Sequence, residues 1–413
     1  MIAFAYFCSN NDGIRYMRQS IFTLLVLAGS MMPLTVLSGD IPDTVQIHGF
    51  ASQGLISTNH NNFFGPSEHG VSSKFTELGA NLSYRPHPDL QFSAQAISRR
   101  AGETDSGNVR LDYGFIDYAV SANESGRWGV MFGKTKNPFG LYNTTRDVAF
   151  TRPSILLPQS IYFDRARNFA LSAPGMSFYG EQSSEQTDVY MQFGLLKPDV
   201  GRGSLENVFL GADRLGQLDG EVSSIGRILF ERDGGRVRLA ITGGNINMKY
   251  LPGTPDVLSA GNVTFNPWVL SAQYNAERWT LTSEYGLETV AIRGFGPTFP
   301  DLNNTSEHFY LQGTYRFSPK WEGLLRYDTL YLDKNDRDGS KYAALPPGTN
   351  LAHDRFARDW TIGLRYDVTP SFMLRGEFHK IDGTGWLPFE DNPSPNSTVQ
   401  RWNMFLLQAS YRF

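Results

Sequence analysis

Apolar and polar side chains alternate with a period of two along most of this chain, and that rhythm commits it to strands. Near the C-terminus Phe405, Leu407, Ala409 and Tyr411 share one parity, while Met404, Leu406, Gln408, Ser410 and Arg412 share the other. Trp360, Ile362, Leu364, Tyr366 and Val368 alternate with Thr361, Gly363, Arg365 and Asp367, and the pattern recurs over 279–288 and 309–317. Successive strand side chains point to opposite faces, so each segment has one oily and one wet face. Composition agrees. Gly is 41 of 413 residues, aromatics reach 13% and charged residues 19%. That is too polar for a bundle of membrane helices and too apolar for disorder. The lone Cys8 excludes a disulfide scaffold, an iron–sulfur site and a cysteine zinc site. A net charge of −4 argues against a nucleic-acid binder.

The longest apolar stretch, Ile21 to Leu37, follows Arg15 and Arg18 and precedes the small residues Ser38 and Gly39. That is the layout of a secretory signal. A spanning helix is the competing reading, disfavoured by Pro33 and by a length at the short limit. Residues 1–39 are therefore expected to be a signal peptide, with Met17 as an alternative start, and 40–413 to be a single domain.

Short turns are expected at 85–89, 121–126, 181–186, 232–235, 275–278, 317–320 and 368–371. Long loops fall between them, near 57–72, 99–108, 134–174, 197–221, 247–261, 290–304, 332–357 and 382–401. A soluble sandwich has no reason to sort its loops by parity, whereas a transmembrane barrel places short turns at one rim and long loops at the other. Six of the seven tryptophans sit near expected strand ends: Trp128, Trp279 and Trp321 after short turns, Trp268, Trp360 and Trp402 after long loops. Indole prefers the membrane interface. The fold class is all-β, a transmembrane antiparallel β-barrel of about 16 strands, with 14 or 18 also compatible. The terminal run Gln408-Ala409-Ser410-Tyr411-Arg412-Phe413 resembles the closing strand of bacterial outer-membrane barrels. That resemblance implies that Phe413 is an assembly signal read by the barrel-assembly machinery.

The inward parity carries Arg227, Arg236, Arg238, Arg316, Arg326, Arg365 and Arg375, opposed by Glu284, Glu288, Asp328, Asp367 and Glu377. Arg or Lys facing lipid at the midplane costs ~2–4 kcal/mol, so these groups belong in a polar, water-filled lumen. Each arginine can equally be a strut paired to a neighbouring carboxylate. Residues 134–174 form a loop with too many apolar residues to be solvated outside. It holds Lys134, Lys136, Arg146, Arg152, Arg165 and Arg167 against only Asp147 and Asp164. Folded inward, such a loop narrows the lumen, and its cations favour anions by focusing the field. The competing reading is that the charges only lock the loop. The stretch Gly133-Lys134-Thr135-Lys136-Asn137-Pro138-Phe139-Gly140-Leu141-Tyr142, followed by Thr145-Arg146-Asp147-Val148, resembles the constriction loop of the phosphate-selective porin family and its relatives. The resemblance implies an inward-folded third loop and a homotrimer. That family's phosphate ladder has no matching motif here.

Seven histidines are scattered without a His-x-x-x-His pair, and no Gly-x-Ser-x-Gly elbow or phosphate-binding glycine loop occurs. No catalytic residue, metal site or cofactor is therefore expected. The expectation is an outer-membrane porin for passive diffusion of small hydrophilic solutes, with anion preference. Its partners are outer-membrane lipid and lipopolysaccharide, and nucleic acid is not among them. The alternative is an occluded barrel acting as a receptor or adhesin.

Overall fold

The computed structural model describes residues 43–200, 204–211, 214–346 and 350–413, so the expected signal peptide lies outside the described residues. The strand segments are β1 Val45–Thr58, β2 Ser72–His87, β3 Leu90–Ala101, β4 Asp105–Asn123, β5 Gly126–Lys136, β6 Ser172–Ser183 and β7 Thr187–Leu196. They continue as β8 Gln217–Gly220, β9 Ser223–Arg232, β10 Val237–Leu251, β11 Asn262–Asn275, β12 Trp279–Arg293 and β13 Leu302–Ser318. The last four are β14 Trp321–Tyr331, β15 Phe356–Thr369, β16 Phe372–Gly383 and β17 Arg401–Arg412. Both β8 and β9 pair with β10, one beyond the other, and together make a single stave. Seventeen segments thus form a closed antiparallel barrel of 16 strands. Closure is by β1 on β17, in register from Phe50↔Arg412 to Thr58↔Met404. Every backbone group on the last strand therefore finds a neighbour, the condition for crossing lipid with strands.

The parities read from the sequence hold. Phe405 and Leu407 are exposed outward while Met404, Leu406, Gln408 and Ser410 are buried inward. Trp360 and Ile362, 54% and 60% exposed, flank the fully buried Thr361. Outward aromatics pair near the short-turn rim, with Tyr274 on Trp279 at 5.2 Å and Trp321 on Tyr366 at 4.4 Å between ring centroids. Trp402 departs from this belt. It is buried inside, and its indole N–H donates to the Gly383 carbonyl at 3.1 Å.

Two expectations are corrected. The long loop expected over 99–108 is a tight turn at 102–104, because β3 and β4 stay paired up to Ala101↔Asp105. Gly102 takes φ +58°, and a Cβ there would meet the Asp391 carboxylate and the Gly65 amide, so neighbouring loops hold the turn down. The lumen is also less polar than alternation implied. Toward the long-loop rim the inward face turns apolar. Ile246, Met248, Tyr250, Val263 and Ile292 pack with Phe169, Leu205 and Phe295. A second cluster joins Phe63 and Phe64 from the first loop, Ile155 and Leu156 from the third, and Trp386 and Leu387 from the last. Loops folded over the mouth bury these faces, so burial there selects apolar residues on both sides of a strand.

Candidate functional site

The third long loop, residues 137–171 between β5 and β6, packs against the inward face of the barrel and defines the candidate site. Its entry turn is Pro138-Phe139-Gly140. Gly140 has φ +56°, where L side chains are strained, and its carbonyl accepts from Arg227 Nη1 at 2.7 Å. The Leu141 and Tyr142 amides both donate to Tyr162 Oη, at 2.8 and 2.9 Å. Tyr162 in turn donates to Glu284 on β12 at 2.7 Å. The same carboxylate accepts from Tyr310 Oη at 2.8 Å, Ser271 Oγ at 2.6 Å and the Leu141 amide at 3.0 Å. A buried carboxylate supplied with donors on both oxygens is a rigid anchor.

Farther along, the loop is tied to the wall two and four strands beyond β12. The Ile155 and Leu156 amides donate to Glu377 on β16. Arg326 on β14 bonds Ser154 Oγ and the Leu156 carbonyl, both at 3.0 Å. Arg375 on β16 donates to the carbonyls of Ala149, Arg152 and Ser154. Asn143 stitches the two ends together through the carbonyls of Asn137 and Ala170.

The loop cations, with Lys136 at the end of β5, sit beside this frame, and most meet carboxylates. Lys136 bonds Asp112 at 2.6 Å and also Asp147. Arg167 bonds Asp147 at 2.6 Å and Glu77 at 3.4 Å. Arg152 bonds Glu77 at 2.7 Å, and Arg146 lies 3.5 Å from Asp164. Arg99 on β3 completes the cluster, 3.3 Å from Glu77 and 3.0 Å from Asp164. Burial alone would raise the Asp147 carboxyl, but Lys136 and Arg167 override it and hold the group well below the usual range. Asp164 is likewise lowered, by Arg99, Arg146 and Arg167 against the burial effect.

Lys134 stands apart, pairing with Asp199 at 2.9 Å near the surface. Arg165 is buried without an ion pair among the described residues, its guanidinium 3.5 Å from the Phe389 ring centroid. Burial pushes it down to about 9, with Glu390 opposing, so it stays a cation at neutral pH. Of the inward arginines, Arg227, Arg326 and Arg375 hold the loop. Arg238 pairs with Glu231 at 2.6 Å, Arg365 with Asp367 at 2.9 Å and Arg316 with Glu322 at 3.3 Å. Arg236 is exposed in the turn before β10, at the rim. Sequence reasoning overlooked Glu77, Arg99 and Asp112, the wall residues that meet the loop charges. Strand parity could have placed Glu77 and Arg99 inward. Asp112 is the extra residue at a register shift between β3 and β4, which parity does not reveal.

No protein-family model matches this sequence, and no curated protein matches it either. Its likeness is to solved structures. It superposes on the outer membrane channel DcaP of Acinetobacter baumannii with a TM-score of 0.59 at 15% identity, covering 91% of this chain and 100% of that one. The fold is a porin-like barrel. An anion-selective porin from Comamonas acidovorans gives 0.57 at 11% identity, covering 89% and 99%. OmpF of Salmonella typhi, solved with daunomycin, gives 0.54 at 13% identity, covering 89% and 97%. At these identities the likeness concerns the fold.

Proposed function

We propose that this protein is a non-enzymatic channel of the bacterial outer membrane, passing small hydrophilic solutes by passive diffusion through a lumen narrowed by residues 137–171. The carrying observation is the tethering of that loop, from the Glu284 anchor at its entry to Glu377 and Arg375 at its far stretch. A loop held so tightly inside a closed barrel sets a fixed constriction. The porin-like neighbours support the reading. Residues 1–39 direct export, Phe413 is the signal for the barrel-assembly machinery, the outer loops meet lipopolysaccharide, and the chain assembles as a homotrimer. One neighbour, OmpT of Vibrio cholerae, was solved in a trimer form.

The channel's anion preference is expected to be modest. Paired cations project little field, so Lys136, Arg146, Arg152 and Arg167 act chiefly as struts. Arg165, Arg227, Arg326 and Arg375, which form no ion pair among the described residues, carry most of the bias. The apolar packing across the long-loop mouth favours a second reading, an occluded barrel serving as a receptor or adhesin. Single-channel conductance in planar bilayers decides between them. Discrete openings are expected, with a reversal potential that moves toward cations in Arg165→Gln/Arg227→Gln. A silent bilayer from a correctly folded barrel would leave the occluded reading.

A further inference from the structure

Between the third loop and the inward faces of β9 to β14 lies a cavity of about 250 Å³. Its walls are aromatic and aliphatic: Phe139, Phe163 and Phe169 from the loop, and Phe265, Val290 and Ile292 from the strands. In an apolar pocket the few polar groups fix which ligand is accepted.

Here those groups are concentrated where Glu288 and His308 reach the cavity. His308 Nδ1 lies 2.6 Å from the Ser160 carbonyl, which can only accept, so Nδ1 carries a proton. Nε2 lies 2.6 Å from Ser306 Oγ, and with Nδ1 protonated the one hydroxyl proton goes to Nε2 rather than to the Glu288 carbonyl 3.2 Å away. A neutral imidazole is thereby satisfied at both nitrogens without Glu288. The Glu288 carboxyl, 3.4 Å from Nε2, lines the cavity and accepts no side-chain or backbone hydrogen bond among the described residues. A largely buried carboxyl either keeps its proton or ionises against a cation or strong donor placed beside it. The cation on the lining, Arg355, cannot supply one. Its guanidinium lies over the Tyr342 ring, 4.8 Å from the centroid, and makes no ion pair with Glu288 among the described residues.

We propose that this cavity is a binding site for a small aromatic amine, with the ring among the phenylalanines and the ammonium on Glu288. The volume suits one ring with a short chain, since ~150 Å³ of apolar cavity already takes benzene. The proposal deepens the channel reading and rests on it for transport, although occupancy of the cavity does not depend on conductance.

The test uses the detergent-purified chain and isothermal calorimetry with 2-phenylethylamine, phenylacetate and 2-phenylethanol. The amine is expected to bind at least about tenfold more tightly than phenylacetate, the scale of one charged hydrogen bond. Glu288→Gln, nearly isosteric, should abolish that preference and leave 2-phenylethanol binding unchanged. Ile246→Phe, which fills the cavity, should weaken all three ligands. Equal binding of amine and acid, a preference that survives Glu288→Gln, or indifference to Ile246→Phe would each overturn the site. Bilayer recordings with the amine separate the two readings. Current without binding removes the site and keeps the channel, whereas binding without current keeps the site and removes the channel.

Discussion

Glu77 shows how one residue organises the charge cluster. It is fully buried on β2 and meets Arg99, Arg152 and Arg167. Removing one partner of a buried ion cluster strands the others without compensation, at a cost of about 3–5 kcal/mol. Glu77→Gln should therefore destabilise the folded barrel by that order, read as a lower urea midpoint in lipid vesicles. Breaking the exposed Arg316–Glu322 pair should change little. The same cluster fixes a pH dependence. Asp147 and Asp164 are held below their ordinary values in the folded protein. Their contribution is thus complete above the unfolded-chain value of ~3.9 and is lost as pH falls from there through the folded value. Protease accessibility of the third loop should stay flat from pH 7 to about 4 and rise only in stronger acid.

At the scale of the element, the loop depends on its entry turn. A Cβ on Gly140 would lie 2.4 Å from Tyr162 Oη and 2.9 Å from Glu284 Oε1, at a φ that already disfavours L residues. Gly140→Ala should cost about 1–3 kcal/mol of local strain. Since the turn and the Glu284 anchor share those atoms, the loop should detach at its entry while the barrel stays closed. The expected readout is faster proteolysis within 137–171 with an unchanged β-sheet circular dichroism spectrum. Loss of the whole β signal instead would mean that the loop is part of the folding core.

For the whole molecule, closure decides behaviour in lipid. Gly49 and Phe413 exchange two backbone hydrogen bonds, at 3.0 and 3.1 Å, and the Phe413 ring lies over Gly49. Deleting Phe413 removes both bonds and the ring contact at the seam. The yield of heat-modifiable, folded barrel in outer membranes should fall, measured by gel mobility before and after boiling. The proposed homotrimer is checked by light scattering in detergent, where a mass of three chains is expected. A single-chain mass would remove that assignment without touching the barrel.

The alternation of side chains determined the strands, their faces and, apart from the tight turn at 102–104, the parity of turns and loops, because in a barrel each of these depends on local sequence and on the contrast between lipid and water. Phe405 and Ile362 could be placed outward from sequence because nothing but their own strand decides it. The partners of the third loop could not be read that way. Glu77, Arg99 and Asp112 are separated from the loop by tens of residues and meet it only once the barrel closes. The same closure turns a run of free-looking cations into a paired network. It also lets Phe63, Trp386 and Trp402 line an interior that alternation alone assigned to water. Whether an inward face is wet or packed depends on what folds over it, and that is a property of the assembled molecule.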